Sequence, residues 1–249
     1  MTASTFAVLG LIGAGVGFLS GMFGKGGSAV ATPLLSAAGI PSVIAVASPL
    51  PATIPTTIAA AAVYWRQGWL DRRVLQTTLV FGVPATIAGA VVTNWIAGHT
   101  LVLVTDAVIA AIGVRLLFSH STNDGDPRPA PTRSAMWIGL GVGFSAGLLA
   151  NSGGALLAPL YLTVLRLPIK RTFATSLSAA TVLAIPATIV HVLLGHIDWT
   201  IVAVLAATSV PLSIVGSRVA VTTQSARLER MYAVVLVALG GAFLAHGLL

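Results

Sequence analysis

The chain has 249 residues, 56% hydrophobic and only 8% charged, with a formal net charge of +7 and a mean hydropathy of +0.97. A soluble domain carries about 25% charged residues, so this composition excludes a soluble enzyme, a nucleic-acid-binding module and a disordered chain. It describes a polytopic membrane protein. No cysteine is present, which removes disulfides, thiol redox chemistry, thiolate metal sites and haem attachment. Residues 1–5 carry no Lys or Arg, unlike the basic start of a secretory leader, so the first apolar run reads as a membrane helix.

In chain order, apolar segments fall at 6–24, 43–65, 74–97, 101–118, 135–150, 171–194, 199–218 and 228–248. Each approaches the ~20 residues that cross a bilayer core, predicting an all-α fold of about eight hydrophobic helices. Two shorter stretches, 28–39 and 155–165, suit half-helices. The polar run 120–133, rich in Pro, Asp and Ser/Thr, reads as a linker. We therefore expect a first repeat over 1–118, a cytoplasmic linker over 119–134 and a second repeat over 135–249.

The two halves share punctuation. Gly13, Gly15, Gly17, Phe18, Gly21 and Pro33 return as Gly139, Gly141, Gly143, Phe144, Gly147 and Pro159, an offset of 126. Gly68, Leu70 and Asp71 match Gly195, Ile197 and Asp198, and Val83, Pro84 and Gly89 match Val210, Pro211 and Gly216, at an offset of 127. Loop charge then relates the halves. Arg66, Arg72 and Arg73 face a counterpart loop, 194–198, without Lys or Arg. Arg166, Lys170 and Arg171 answer to 39–44, and Arg218, Arg227 and Arg230 to 97–100, neither basic. By the positive-inside rule equivalent loops lie on opposite faces, so the repeats are inverted. Consistency requires 6–24 with 28–39, and 135–150 with 155–165, to enter and leave on one face. Each half then holds one helical hairpin and three crossing helices, with both termini extracytoplasmic.

The hairpin tips are Gly24, Lys25, Gly26, Gly27 and Ser28 in the first half, and 150–154, including Asn151, Ser152, Gly153 and Gly154, in the second. Irregular backbone at membrane depth survives only inside protein or along a wet cavity, and half-helix N-termini there attract anions. A lysine at mid-bilayer costs about 2.5–3.5 kcal/mol and would repel those dipoles, so Lys25 predicts an anion site; the bland alternative is a snorkelling or carbonyl-paired lysine. Ser48 and Ser176 stand at matching places after each hairpin as candidate ligands, though such hydroxyls often bond their own backbone. Pro49, Pro51 and Pro55 are expected to disrupt the helix there. The substrate-binding set is thus Gly24, Lys25, Gly26, Gly27, Ser48, Asn151, Ser152, Gly153, Gly154 and Ser176, with no catalytic residue, metal or cofactor.

Other features read as structural. The glycine series are small-residue stripes for close helix contact, Trp65, Trp69, Trp95, Trp137 and Trp199 an aromatic belt, and Asp71 and Asp198 N-caps. Asp106 suits an interfacial pairing or proton coupling. No two histidines are spaced i, i+4, so a metal site is not expected, and His191 reads as packing or pore lining. Residues 143–147 satisfy G-x-S-x-G, but a nucleophile elbow needs a strand-to-helix turn. Gly24-Lys25 lacks the first glycine and the Ser/Thr of a P-loop.

The run from Gly13 to Gly27, with Pro33-Leu34-Leu35, Gly39-Ile40-Pro41, the repeat Gly147 to Pro159 and Leu167-Pro168, resembles the TauE/SafE family of sulfite-exporter-like permeases over nearly the whole chain. The resemblance implies a duplicated eight-helix permease moving small, often sulfur-containing anions across a bacterial inner membrane. Lys25 and the Asn151-Ser152-Gly153-Gly154 tip depart from the expected pattern and put the choice of anion in doubt. A secondary transporter by alternating access follows, with a proton or sodium ion to couple it and room for a homodimer. An anion channel is the first rival, separated by ion-gradient coupling. A membrane-embedded enzyme is the second, and it would need a nucleophile with a His or Asp partner at depth.

Overall fold

The structure, a computed structural model, describes residues 3–24, 27–92, 131–149 and 151–247. Lys25, Gly26, Trp95, Asp106, the segment expected at 101–118 and most of the linker lie outside these. Among the described residues every regular element is a helix, as apolar runs with internally paired backbone require in hydrocarbon. The first half contributes α1 (Ala3–Phe23), α2 (Ser28–Ala37), α3 (Ser42–Ala47), α4 (Pro49–Trp65) and α5 (Arg72–Val92). The second contributes α6 (Thr132–Leu148), α7 (Gly154–Thr163), α8 (Ile169–Leu193), α9 (Trp199–Thr222) and α10 (Ser225–Gly247).

Five stretches among them are long and apolar enough to cross a membrane: Ala3–Phe23, Val43–Trp65, Arg72–Val92, Ile169–Leu193 and Trp199–Thr222. Both expected half-helices form, as α2 and α7 of ten residues each. The expected disruption by three prolines is corrected. The break falls at Ser48 alone, where Pro49 opens α4, and α4 runs on through Pro51 and Pro55. Pro fits a first helical turn without losing a bond, and the hydroxyls of Thr53, Thr56 and Thr57 donate to the carbonyls of Pro49, Ala52 and Thr53 along this stretch.

The halves interlock by exchange. Helix α1 packs on α9 and α6 packs on α5, each pair the first helix of one half against a late helix of the other. Glycine makes this possible. A Cβ at Gly17 would run into the Ser209 backbone and one at Gly21 into Ser213. At Gly143 and Gly147 it would meet Gly82 and Thr86. The contacts repeat at offsets of 126 and 127, and the numbering rises together on both helices of each pair, so each pair is parallel. Gly15 and Gly141, between the stripes, have nothing within 4 Å. Along these stripes only the packed glycines need to be glycine.

Asp198 accepts from the N–H groups of Thr200 and Ile201 at the start of α9, and Asp71 from that of Val74, the capping geometry of a helix N-terminus. Trp65, Trp137 and Trp199 are exposed near helix ends. Trp69 lies under Lys170, 4.9 Å from ring centroid to Nζ, and the same ammonium donates to the Val221 carbonyl at 2.8 Å.

Candidate functional site

Each half-helix begins inside the protein rather than at a surface. Gly27, ahead of α2, lies against Val16, and Gly153, ahead of α7, lies against Val142. Both valines fall well within their helices, and they correspond at offset 126. Gly24 takes a φ of +63° and Gly153 of +72°, a left-handed region that side chains resist.

The two tips meet. Ser28 Oγ donates to Asn151 Oδ1 at 2.7 Å and accepts the Ser152 N–H at 3.1 Å. Its oxygen also lies 3.1 Å from Ser152 Oγ. Ser28 and Ser152 are wholly buried. The N-cap residues of α2 and α7 are Gly27 and Gly153, which have no side chain to cap with, so among the described residues the positive dipole ends of both half-helices start from one polar cluster. No carboxylate bonds to this cluster among the described residues; Asp71 and Asp198 are occupied as caps. Replacing Ser28 by alanine leaves the Ser152 N–H and the Asn151 carbonyl without their shared partner. It is expected to destabilise the protein by about 1–3 kcal/mol, read as a lowered Tm in detergent; an unchanged Tm would show the tips do not depend on this contact.

Sequence reasoning named Gly24, Gly27, Asn151, Ser152, Gly153 and Gly154, and all lie at or beside this junction. Ser176 also reaches it, donating to the Gly24 carbonyl at 2.8 Å. Lys25 and Gly26 fall outside the described residues. Ser48 sits elsewhere. Its hydroxyl accepts the Asp198 N–H at 3.1 Å, tying α4 to the turn before α9. The matching bond in the other half runs from the Asp71 N–H to Thr175 Oγ1 at 3.1 Å. The counterpart of Ser48 is therefore Thr175, not Ser176.

A polar seam was missed. Thr53, Thr56 and Ser209 line a cavity of about 10 Å³ with Gly13, Val16 and Gly27, room for roughly one water molecule. Thr56 Oγ1 and Ser209 Oγ are 2.6 Å apart, and Thr181 donates to Thr57 at 2.8 Å. The i, i+3, i+4 spacing of Thr53, Thr56 and Thr57 was the available signal, masked by the prolines among them. Beneath the first tip, Phe23 stacks on Tyr232 at 5.8 Å and Phe173 meets Tyr232 edge-on at 5.1 Å. His191 and His196 were also missed as a pair. Five apart, they meet across the end of α8 with Nδ1 atoms 3.3 Å apart. Among the described residues no group of three potential metal ligands exists.

Apolar spans around a buried polar junction of broken helices are the architecture of a multi-span membrane transporter. Residues 9–243 match the family described as "Sulfite exporter TauE/SafE", and the chain belongs to that family. It is 28% identical over 221 residues to the "Probable membrane transporter protein YjnA" of Bacillus subtilis (strain 168), covering 83% of this chain and 87% of that one. It is 26% identical over 203 residues to a "Probable membrane transporter protein" of Xylella fastidiosa (strain 9a5c), 76% of each chain. No solved structure matches it.

Proposed function

We propose that this transporter is a secondary permease for a small anion, a sulfur-containing oxyanion or organosulfonate, in a bacterial inner membrane. Its halves, 1–118 and 135–249 joined by the linker 119–134, are inverted repeats of one hairpin and three crossings each, with extracytoplasmic termini. Alternating access exposes the junction of the hairpin tips to either side. The observation that carries this reading is the meeting of two uncapped half-helix N-termini at Ser28, Asn151 and Ser152. Aligned N–H groups and two positive dipole ends suit an anion and nothing cationic. Lys25, between Gly24 and Gly27 in the sequence, would add a full positive charge. The reciprocal packing of α1 on α9 and α6 on α5 supports a two-fold relation between the repeats, and the distribution of loop charge is what makes that relation an inversion.

The cavity of about 10 Å³ beside the first tip has room for roughly one water molecule. Dependence of transport on an ion gradient separates a carrier from an open anion channel. The stripes of glycine against backbone lock α1 to α9 and α6 to α5, two rigid pairs that each draw on both halves and can rock as bodies.

The test is thermal stabilisation of the purified chain by sulfite, sulfoacetate, thiosulfate, sulfate and chloride. A ligand confined to the folded state raises Tm by mass action. One or a few sulfur oxyanions are expected to do so in the wild type and to fail with Lys25→Ala. No shift with any anion, or shifts that ignore the substitution, would overturn the central anion site.

A further inference from the structure

We propose that the groove between the C-terminal ends of α4 and α9 is a binding site for an anionic phospholipid, its phosphate held by Arg66 and Arg218. The groove has a volume of about 350 Å³ and is lined by Val63, Arg66, Gln67, Arg218, Val221 and Thr222. Two guanidinium groups thus share one concavity with an amide and a hydroxyl. No hydrogen bond or ion pair engages either guanidinium among the described residues. An arginine fork offers paired N–H donors in the geometry a phosphate accepts, so the charge complementarity points to that group.

The surroundings select a lipid over a free phosphate. The side of α9 bearing Ser213, Gly216, Ser217 and Ala220 is buried, with Ser213 and Gly216 against α1. Val215, Arg218, Val219 and Thr222 occupy the opposite, exposed side. Ile58 on α4 and Val215 on α9 are exposed apolar residues farther from the arginine-bearing ends of the same two helices, and Val219 is exposed next to Arg218. Charge at the lip with hydrocarbon beyond it is the profile of a phospholipid. A free anion would use the first and have no need of the second.

The equivalent pair of helix ends, on α8 and α5, supplies an internal comparison. At an offset of 127 the counterparts of Val63, Arg66 and Gln67 are Val190, Leu193 and Leu194, and that of Arg218 is Val91. Leu193 is 81% exposed and Val91 51%. The equivalent helix ends, on α8 and α5, thus present Leu193 and Val91 where α4 and α9 present arginines. Packing of these ends does not require the charges, since the equivalent pair forms without them. Basic pockets between membrane helices recruit acidic headgroups of the cytoplasmic leaflet, the leaflet to which loop charge assigns this end. A lipid seated here would bridge α4 of one half and α9 of the other, the two helices that the Thr56–Ser209 contact also joins.

The experiment is a thermal-shift titration of the delipidated full chain in neutral detergent with phosphatidylglycerol, phosphatidylcholine or inorganic phosphate. Phosphatidylglycerol is expected to raise Tm and the other two to leave it. That shift should fall at least about twofold in the Arg66→Ala/Arg218→Ala double variant. It should survive in Arg227→Ala/Arg230→Ala, which removes equal charge from exposed positions that do not line the groove. Arg66→Gln/Arg218→Gln, which keeps hydrogen-bonding bulk, serves if the alanine pair does not fold. Equal shifts in both double variants, an equal response to phosphatidylcholine, or no response to phosphatidylglycerol would overturn the proposal. So would a matching response to inorganic phosphate, which would make this a free-anion site. None of these outcomes depends on what the hairpin tips transport.

Discussion

Valine at Gly143 is expected to abolish most of the folded protein, whereas valine at Gly141, two residues away, leaves it intact. A Cβ at Gly143 would meet the backbone of Gly82, and no flexible side chain is there to move aside. Separation of α6 from α5 is the only relief, and overpacking of this kind costs about 1–3 kcal/mol or more. Gly141 has nothing within 4 Å. Gly17→Val should match Gly143→Val, because its Cβ would meet the Ser209 backbone at the equivalent contact between α1 and α9. Monodispersity on size exclusion and Tm in detergent read the result. Similar behaviour of the 141 and 143 variants would show that close helix approach does not hold the halves together.

Aspartate at Asn151 is expected to separate stability from transport. The two side chains have nearly the same shape, and the carboxylate can still accept from Ser28, which now donates to Asn151 Oδ1. A negative charge at a helix N-terminus stabilises it by about 0.3–1 kcal/mol, so Tm should hold or rise. The same charge occupies the place an anionic substrate would take. Uptake of a labelled sulfur oxyanion into proteoliposomes should drop at least about tenfold, the equivalent of about 1.4 kcal/mol of lost binding. Undiminished uptake with an intact Tm would remove the tips as the substrate site. A joint loss of Tm and uptake would mean that Asn151 is needed as an amide for folding.

These two substitutions probe different layers of the protein. Gly143 tests how the halves are joined, and Asn151 tests what they enclose. The lipid groove concerns a third place, where α4 and α9 meet at the membrane surface.

Much of the architecture was legible because a bilayer limits what a chain can do. Apolar runs with no internal polar partner fold as helices, so α1, α5, α8 and α9 follow directly from composition. The half-helices were readable from glycine clusters ahead of ten apolar residues, and the caps Asp71 and Asp198 from their place before a span. The packed glycines also stood out, as two series in register. What the sequence could not separate was Gly15 from Gly17, since only the direction of the neighbouring helix decides which face is crowded.

The tertiary structure decided the pairings. That Ser28 meets Asn151 and Ser152, over 120 residues away, depends on how far each tip penetrates, which no local pattern encodes. Ser48 illustrates the same limit. Its position next to a proline break suggested a ligand, yet its hydroxyl holds the turn at Asp198, and Thr175 does the same work opposite. His191 and His196 meet only because the end of α8 unwinds through Gly195 at a φ of +71°, bringing an i, i+5 pair together where a helix would hold them on different faces. Local chemistry and the membrane's demand for paired backbone set the elements, whereas contact between segments remote in sequence, fixed by helix packing, set the site.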